Sequence, residues 1–195
     1  MSLARISRSS FPLLSAATLL VGLLALSPLM AQEPARAVSA NAPAALLPNE
    51  RHPLPGLMTG GSPSSAAGFQ ALARAGYRTF IDLRSDAEVP PDIPAAAEAA
   101  GLLYRRIPIT GDKDLDLGTA RALDALLDER AKDPVAIGCA SGNRVGALLA
   151  VKAFWLDGVP PEQALALGVR AGLTRLEPSV RSLLGMPAAP APAIK

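Results

Sequence analysis

The sequence has few residues of the kinds that build functional sites, with one cysteine, one histidine and one tryptophan in 195 residues. A single cysteine excludes an internal disulfide. The one histidine, His52, lies in a stretch rich in proline and alanine, with no cysteine or second histidine beside it. This argues against a Cys–His catalytic pair and against a metal site. We therefore expect no metal and no other cofactor.

Long apolar runs are also absent after the N-terminus. The basic residues Arg5 and Arg8 precede an uncharged stretch at 11–30, which ends near Pro28 and is followed by the small residue Ala31. That order is typical of a secretory signal peptide. We expect cleavage after Ala31 and a periplasmic or secreted protein. An uncleaved membrane anchor is the alternative, because about 20 apolar residues can span a bilayer.

An excess of charge of either sign is missing from the remaining chain. Without residues 1–31, 17 basic and 17 acidic residues are left, so nothing indicates binding to nucleic acid or to an anionic membrane surface. Since no second apolar span follows, we expect no stable membrane insertion after cleavage. About 164 residues remain, which is enough for one domain with its own core.

Composition divides these residues into three parts. Residues 32–55 are rich in proline and alanine and contain no glycine or aromatic residue, which predicts a flexible or extended linker. The stretch PAAPAPAIK at 187–195 predicts a disordered tail. The domain itself is expected to span 56–186, and it shows no internal repeat.

Strand-like and helix-like segments alternate within this domain. The segments GLMTGG, YRTFIDLR, LLYRRIPI and PVAIGC predict strands, and each is followed by a segment with helical periodicity. Ser62 is expected to cap the first helix, and the nearly all-apolar stretch RVGALLAVKAFWLDG predicts a central, buried helix. The alternation predicts an α/β fold of three layers, with a mainly parallel sheet flanked by helices.

The stretch CASGNR at 139–144 turns from a predicted strand into the central helix, at the sheet edge where sites gather. A helix start offers unpaired N–H groups and a positive dipole end, which together can hold an anion. Gly142 permits an unusual backbone angle, and Arg144 adds a planar fork suited to oxyanions. The same positive field favours the nucleophilic thiolate of Cys139. A buried, inert cysteine is the alternative.

The segments GSPSSAAGFQALARAGYRTFIDLRSDAE, GLLYRRIPI and CASGNRVGALLAVKAFWLDGVPPEQALALGVRAGL resemble the dual-specificity-phosphatase-like group found in bacterial β-lactamase-hydrolase-like proteins. The resemblance covers about 60–174 and implies a cysteine-phosphatase-like fold. It also implies that Cys139 attacks phosphorus, that Arg144 clamps the phosphate, and that an acid on a nearby loop protonates the leaving oxygen. The implied backbone donors to the phosphate are Ala140, Ser141, Gly142 and Asn143.

Three features differ from the usual cysteine phosphatases. Four residues, rather than five, separate Cys139 from Arg144, which makes the loop similar to that of rhodaneses, where the cysteine carries a persulfide. Val145 follows the arginine where a hydroxyl residue usually assists breakdown of the thiophosphate. Gly138 stands where a histidine usually precedes the cysteine. The stretch IDLRSDAE is also faintly rhodanese-like, but the Gly-His-Ile segment that should follow it is missing.

The proton donor is expected in TGDKDLD (110–116), which follows the predicted strand ending at Ile109. Asp116 is expected to cap the next helix. Of the remaining two carboxylates, Asp112 and Asp114, we choose Asp112, with a solvated loop charge as the alternative for either.

Two arginines, Arg84 and Arg106, lie at or near strand ends. They either extend the positive site or serve as structural or surface charges.

The sequence thus predicts a cysteine-dependent phosphatase that acts on phosphomonoesters, phosphotyrosine among them, through a cysteinyl-phosphate. A rhodanese-like sulfurtransferase with a persulfide on Cys139 is the first alternative. A non-catalytic module that binds oxyanions is the second. The expected partner is accordingly a phosphorylated or sulfur-carrying substrate, and the sequence makes no prediction of the oligomeric state.

Overall fold

The computed structural model describes residues 44–189 of the chain. The predicted signal peptide at 1–31, the first part of the predicted linker and the end of the predicted tail lie outside the described residues. The expectations for these segments therefore remain predictions.

A five-stranded sheet forms the centre of the domain. The strands are β1 (Arg51–Leu54), β2 (Leu57–Gly61), β3 (Thr79–Asp82), β4 (Leu103–Arg106) and β5 (Val135–Cys139). Their order in the sheet is β1-β2-β5-β3-β4. The edge strand β1 is antiparallel to β2, and all other neighbouring strands are parallel.

Six α-helices surround this sheet. They are α1 (Ala66–Arg74), α2 (Ile93–Ala99), α3 (Leu117–Glu129), α4 (Asn143–Trp155), α5 (Pro161–Arg170) and α6 (Glu177–Leu183). Two short 3-10 turns follow β3 and β4, at Asp86–Glu88 and Asp112–Asp114. Between residues 44 and 189, no helix combines the length and the apolar character needed to cross a membrane.

The helices cover both faces of the sheet and so give three layers. Along β3, Phe80 packs in one core with residues of α1 and α2, whereas Ile81 packs in a second core with residues of α3 to α6. Ala136 and Ile137 of β5 divide in the same way, because successive side chains of a strand point to opposite faces. All residues of both strands are buried, as expected for parallel strands covered on both faces. The predicted α/β fold is confirmed.

The central helix predicted by the apolar stretch is α4. Nine of its residues are buried, and it packs against α3, α5 and α6. A Cβ atom at Gly146 would lie 2.2 Å from the backbone nitrogen of Leu173 and 2.5 Å from the carbonyl oxygen of Gly168. Only glycine therefore permits the close approach that fixes α5, and the loop after it, against the start of α4.

One strand lies inside the range that composition assigns to the linker. β1 occupies Arg51–Leu54 and pairs with β2, while Leu47 is buried in the core. The carbonyl oxygen of Pro48 also accepts a hydrogen bond from Gly61 N–H at 2.6 Å. Composition did not predict this strand. The strand β1 forms by pairing with β2, and its residues show no strand pattern of their own.

Of the two residues predicted to cap helices, the structure confirms one and contradicts the other. Asp116 caps α3 as predicted, since its side chain accepts a hydrogen bond from Thr119 N–H at 2.8 Å. Ser62 does not cap α1, which begins at Ala66 after Ser65. The Ser62 hydroxyl donates instead to Asp82 Oδ1 at 3.0 Å, a contact between distant residues that local sequence does not show.

Candidate functional site

The cysteine loop begins where the strand β5 ends between two parallel neighbours. The carbonyl oxygen of Cys139 accepts a hydrogen bond from Ser62 N–H at 2.6 Å, and that of Gly138 accepts one from Leu83 N–H at 2.7 Å. The residues that follow β2 and β3 thus hold the end of β5 from both sides. The cysteine sulfur is placed by a sheet and not by a mobile loop.

Gly142 gives the loop its shape. Its φ angle is +94°, in the left-handed region that favours glycine. In this conformation Gly142 N–H donates a hydrogen bond to Cys139 Sγ at 3.1 Å. This hydrogen bond fixes the position of Cys139 Sγ within the loop.

The backbone N–H groups on either side of Gly142 are unpaired among the described residues. Among residues 44–189, no protein acceptor binds the backbone N–H groups of Ala140, Ser141, Asn143 or Arg144. These groups belong to the turn and to the first residues of α4, where a helix leaves donors unpaired and concentrates positive potential. The arrangement is suited to an oxyanion.

The side chain of Asn143 serves the scaffold. It is buried, and its Oδ1 accepts hydrogen bonds from Thr174 N–H at 2.8 Å, from the Thr174 hydroxyl at 3.1 Å and from Leu176 N–H at 3.2 Å. Asn143 therefore offers only its backbone to a ligand, while its amide fixes the loop between α5 and α6 beside the site.

Arg144 is held in one orientation by three acceptor oxygens on two residues. Its Nη1 donates to Glu88 Oε2 at 2.7 Å and to the carbonyl oxygen of Ile109 at 2.6 Å, and its Nη2 donates to Glu88 Oε1 at 2.6 Å. These bonds leave the Nε–H and the second Nη2–H, which lie on one edge of the guanidinium. Glu88 is also the main cause of the raised pKa of Arg144; burial opposes this, and Cys139 adds to it. Arg144 and Cys139 are thus close enough to interact.

Glu88 is a site residue that the sequence analysis missed. The hydrogen bond from Arg144 lowers its pKa to about 2, against an opposing effect of burial, and the hydroxyl and N–H of Ser85 lower it further. A carboxylate with this pKa is ionised at neutral pH and is not a proton donor. The spacing of Ser85 and Glu88 is that of a capping box, a local signal that could have identified the turn but not its partner.

The turn that carries Glu88 is anchored by the two arginines at the strand ends. Arg106 Nη1 donates to Asp86 Oδ1 at 2.5 Å, and its Nη2 donates to the carbonyl oxygen of Arg84 at 2.7 Å. Arg84 is buried and paired with Asp82 at 2.6 Å. Both arginines are structural, and neither extends the positive site.

Asp82 is the centre of this buried polar network. It is fully buried and accepts hydrogen bonds from Arg84, Ser62 and Tyr104. Burial and the adjacent Asp82 charge raise the pKa of Tyr104. Burial by itself would lower the pKa of Arg84, but its hydrogen bonds to Asp82 raise it above the ordinary value. Because three side chains donate hydrogen bonds to this buried carboxylate, the network fixes the end of β3 beside Gly138.

A cavity of about 500 Å³ lies beside the loop. Its lining residues are Glu88, Thr110, Gly111, Ala140, Asn143, Arg144, Arg175 and Leu176. Cys139 is only 1% exposed and is not among them. The sulfur of Cys139 is therefore almost completely covered in this structure.

The two candidate proton donors lie outside this cavity. Asp112 Oδ2 accepts a hydrogen bond from the Ser179 hydroxyl at 3.0 Å, and Asp112 lines a separate cavity beside α6. Asp114 accepts hydrogen bonds from the hydroxyl and N–H of Thr110, which lower its pKa. Asp114 therefore holds the loop that contributes Thr110 to the cavity.

The structure explains two of the sequence differences from the usual cysteine phosphatases. A Cβ atom at Gly138 would lie 2.5 Å from Ser62 Oγ and 2.7 Å from Phe80 Cζ, so no side chain, histidine included, fits there. Val145 is completely buried in the core, where a hydroxyl group would need its own hydrogen-bond partner.

Metal ligands are not grouped in the described part of the domain. Between residues 44 and 189, no three His, Cys, Asp or Glu side chains are placed together to hold a metal ion. The donor set at the loop, a thiol with N–H groups and a guanidinium, is suited to an anion.

Comparisons with known proteins support the fold. No protein-family model and no curated protein matches the chain. Among solved structures, a DUF442 protein of Shewanella putrefaciens CN-32, named as a candidate phosphatase, has 21% identity and a TM-score of 0.59, over 71% of this chain and 90% of that one.

Two further structures are similar over comparable lengths. Tk-PTP in its active form has 21% identity and a TM-score of 0.52, over 70% of this chain and 96% of that one. TpbA of P. aeruginosa, solved in complex with pTyr, has 20% identity and a TM-score of 0.51, over 71% of this chain and 84% of that one. At this identity the likeness shows the fold alone, and the chain has the α/β fold of these phosphatase-like structures, as predicted.

Proposed function

We propose that this protein is a cysteine-dependent phosphatase that hydrolyses phosphomonoesters, phosphotyrosine among them, through a cysteinyl-phosphate. One observation carries the proposal: unpaired N–H groups and an unengaged edge of Arg144 lie at the turn that holds Cys139. The pTyr complex of TpbA, which shares the fold, supports a phosphorylated substrate. We also propose that the dual-specificity-phosphatase-like group seen in the sequence is the family.

In the first step the Cys139 thiolate attacks phosphorus. The S–P bond forms, the P–O bond to the leaving group breaks, and the leaving oxygen takes a proton. The four N–H groups of the loop and the free edge of Arg144 supply six donors in all. Six donors are enough for two hydrogen bonds to each of the three oxygens of the transferring phosphoryl group, where negative charge must be stabilised.

In the second step water attacks phosphorus, the S–P bond breaks, and inorganic phosphate leaves the regenerated thiolate. Val145 provides no hydroxyl to assist departure of the sulfur, and Gly142 N–H remains as the donor to it. We therefore expect breakdown of the cysteinyl-phosphate to limit turnover. Each tenfold loss of rate corresponds to about 1.4 kcal/mol of barrier.

Asp112 remains our choice as proton donor for the first step. It is exposed on the 3-10 turn after β4, and its contact with Ser179 is a single hydrogen bond between exposed groups. Such a contact is weak enough to be exchanged when substrate enters. Glu88, the carboxylate inside the cavity, is excluded because its pKa is about 2.

Release of phosphate by the exported protein tests the proposal directly. We expect wild type to release p-nitrophenol from p-nitrophenyl phosphate with a burst, and an acid-quenched sample to carry the mass of one phosphoryl group on Cys139. Cys139→Ser should abolish both signals. Arg170→Gln, which removes an exposed arginine outside the cavity, is the control. A wild type without burst or adduct, with phosphate binding intact, would instead favour the non-catalytic oxyanion module.

The short loop favours a second candidate function, sulfur transfer. Four residues between Cys139 and Arg144 match the rhodanese-like length noted in the sequence. In that reaction the outer sulfur of thiosulfate bonds to Cys139 Sγ, sulfite leaves, and cyanide then takes the sulfur as thiocyanate. A stable gain of one sulfur on Cys139 after thiosulfate treatment, without phosphate release, would favour this function over the first.

We also propose that the protein acts outside the cytoplasm, since residues 1–31 have the order of a signal peptide. Its substrates would then be phosphorylated molecules of the periplasm or the exterior. The proposal concerns location alone and is tested by the mass of the exported chain.

A further inference from the structure

The cavity beside the cysteine loop has a second arginine in its wall. Arg144 and Arg175 both line this space of about 500 Å³. Arg144 is paired with Glu88. In the part of the chain that the structure describes, the side chain of Arg175 forms no ion pair and no hydrogen bond. The lining residues therefore leave one cation without a neutralising partner.

The backbone around Arg175 is fixed by the site itself. The N–H groups of its two neighbours, Thr174 and Leu176, both donate to Oδ1 of Asn143, the first residue of α4. The same loop is held at its start, where the Thr59 hydroxyl donates to the carbonyl oxygen of Ala171 at 2.9 Å. The backbone that carries Arg175 is thus fixed, and its exposed, unengaged guanidinium belongs to the lining of the cavity.

The phosphoryl group does not need Arg175. By number, the loop N–H groups and the unengaged edge of Arg144 suffice for two hydrogen bonds to each of the three oxygens of a transferring phosphoryl group. Arg175 lines the cavity from a separate segment, the loop between α5 and α6. A cavity of this volume holds more than a phosphoryl group alone.

We propose that Arg175 binds a second anionic group on the substrate, a carboxylate or a second phosphate carried beside the phosphoryl group that reacts. The proposal rests on the phosphatase function proposed above and names its substrate class. Phosphomonoesters with two anionic groups are preferred over those with one, and Arg175 determines that preference.

Four aryl phosphates test this preference: phenyl phosphate, 3-carboxyphenyl phosphate, its methyl ester, and benzene-1,3-diyl bisphosphate. The kcat/KM of each is measured with wild type, Arg175→Gln, Arg175→Lys and the control Arg170→Gln, which removes the same charge from an exposed position outside the cavity. Ratios between probes are compared across variants, so the leaving-group chemistry of each probe cancels.

For wild type we expect the carboxylate probe to exceed its methyl ester. Arg175→Gln should reduce that ratio by about three- to fivefold, the size expected of an exposed ion pair, while phenyl phosphate is unaffected. Arg175→Lys should retain part of the preference, and added NaCl should weaken it. The probe with the larger Arg175-dependent ratio identifies the second anion as carboxylate or phosphate.

Two results would overturn the proposal. One is an equal loss of kcat/KM for all four probes in Arg175→Gln, which would place Arg175 at the reacting phosphoryl group. The other is an equal loss of preference in Arg170→Gln, which would make the effect one of net charge.

Binding separates this proposal from the phosphatase function. Calorimetric dissociation constants of the acid and ester probes are measured for Cys139→Ser and for Cys139→Ser with Arg175→Gln. A preference for the acid that depends on Arg175, without turnover in wild type, would contradict the phosphatase function and keep the second anion site. Turnover without that preference would do the reverse, and absence of both binding and turnover would overturn both.

Discussion

Glu88→Gln is the substitution that best tests how Arg144 is positioned. Glu88 accepts two charge-assisted hydrogen bonds from the guanidinium, at 2.6 and 2.7 Å, and thereby directs the other edge of Arg144 toward the cysteine loop. Glutamine keeps the shape of the side chain but loses its charge and one of the two acceptor oxygens. Arg144 is then free to leave the orientation in which it meets the phosphoryl group.

The expected magnitude follows from the exposure of the pair. A hydrogen bond to a charged group contributes about 1.5–3 kcal/mol, but the Glu88 side chain is 37% exposed and solvent reduces this. We take about 1–2 kcal/mol, which corresponds to a roughly 5- to 30-fold loss of kcat/KM. The measurement is the hydrolysis of p-nitrophenyl phosphate, with Glu98→Gln, an exposed glutamate of α2, as matched control.

The same pair predicts a pH dependence of stability. Because the pKa of Glu88 is lowered from 4.5 to about 2 in the folded protein, its stabilising contribution is complete above about pH 4.5. It is lost as the pH falls through about 2. The difference in the free energy of unfolding between wild type and Glu88→Gln should be about 1 kcal/mol at pH 6, after discounting for exposure, and should shrink below pH 4.5.

One result would refute this reasoning about Glu88. If Glu88→Gln binds inorganic phosphate more tightly and keeps or raises kcat/KM, then Glu88 competes with the substrate for Arg144 and does not position it. The calorimetric phosphate affinity of both proteins decides between the two roles.

Three further predictions concern the second step, the acid and the N-terminus. Val145→Thr should speed the phase after the burst, at a cost of about 1–3 kcal/mol in unfolding free energy for the buried hydroxyl; an unchanged slow phase, equal to that of Val145→Ala, would contradict the role assigned to the hydroxyl. Asp112→Asn should slow phenyl phosphate much more than p-nitrophenyl phosphate, whose leaving group needs no proton, whereas Asp114→Asn should show no such dependence; equal losses on both substrates would remove Asp112 as the acid. The exported chain should have the intact mass of a protein beginning close to Gln32, and a full-length mass in the membrane fraction would mean an anchor.

Local sequence was sufficient for the fold class and for the turn that carries the candidate site. The alternation of apolar segments with helical periodicity predicted the parallel sheet and the buried helix α4. The stretch CASGNR predicted the turn, because strand end, glycine and helix start are adjacent in the chain. Asp116 was predicted as a cap for the same reason, since its partner is Thr119, three residues away. These features depend on residues that lie a few positions apart in the chain, and the pattern of the local sequence shows such residues directly.

The tertiary structure alone decided which charges meet. Glu88 and Arg144 are 56 residues apart, and Asn143 reaches 31 residues along the chain to hold the loop of Arg175. The strand β1 likewise exists through its pairing with β2 and not through any pattern of its own. The sequence around a side chain does not indicate its distant partner. Such a contact forms only when the sheet brings several strand ends to one edge. The candidate nucleophile Cys139 was therefore named from sequence, whereas Glu88, which orients Arg144, and Arg175, which lines the cavity, were found only in the fold.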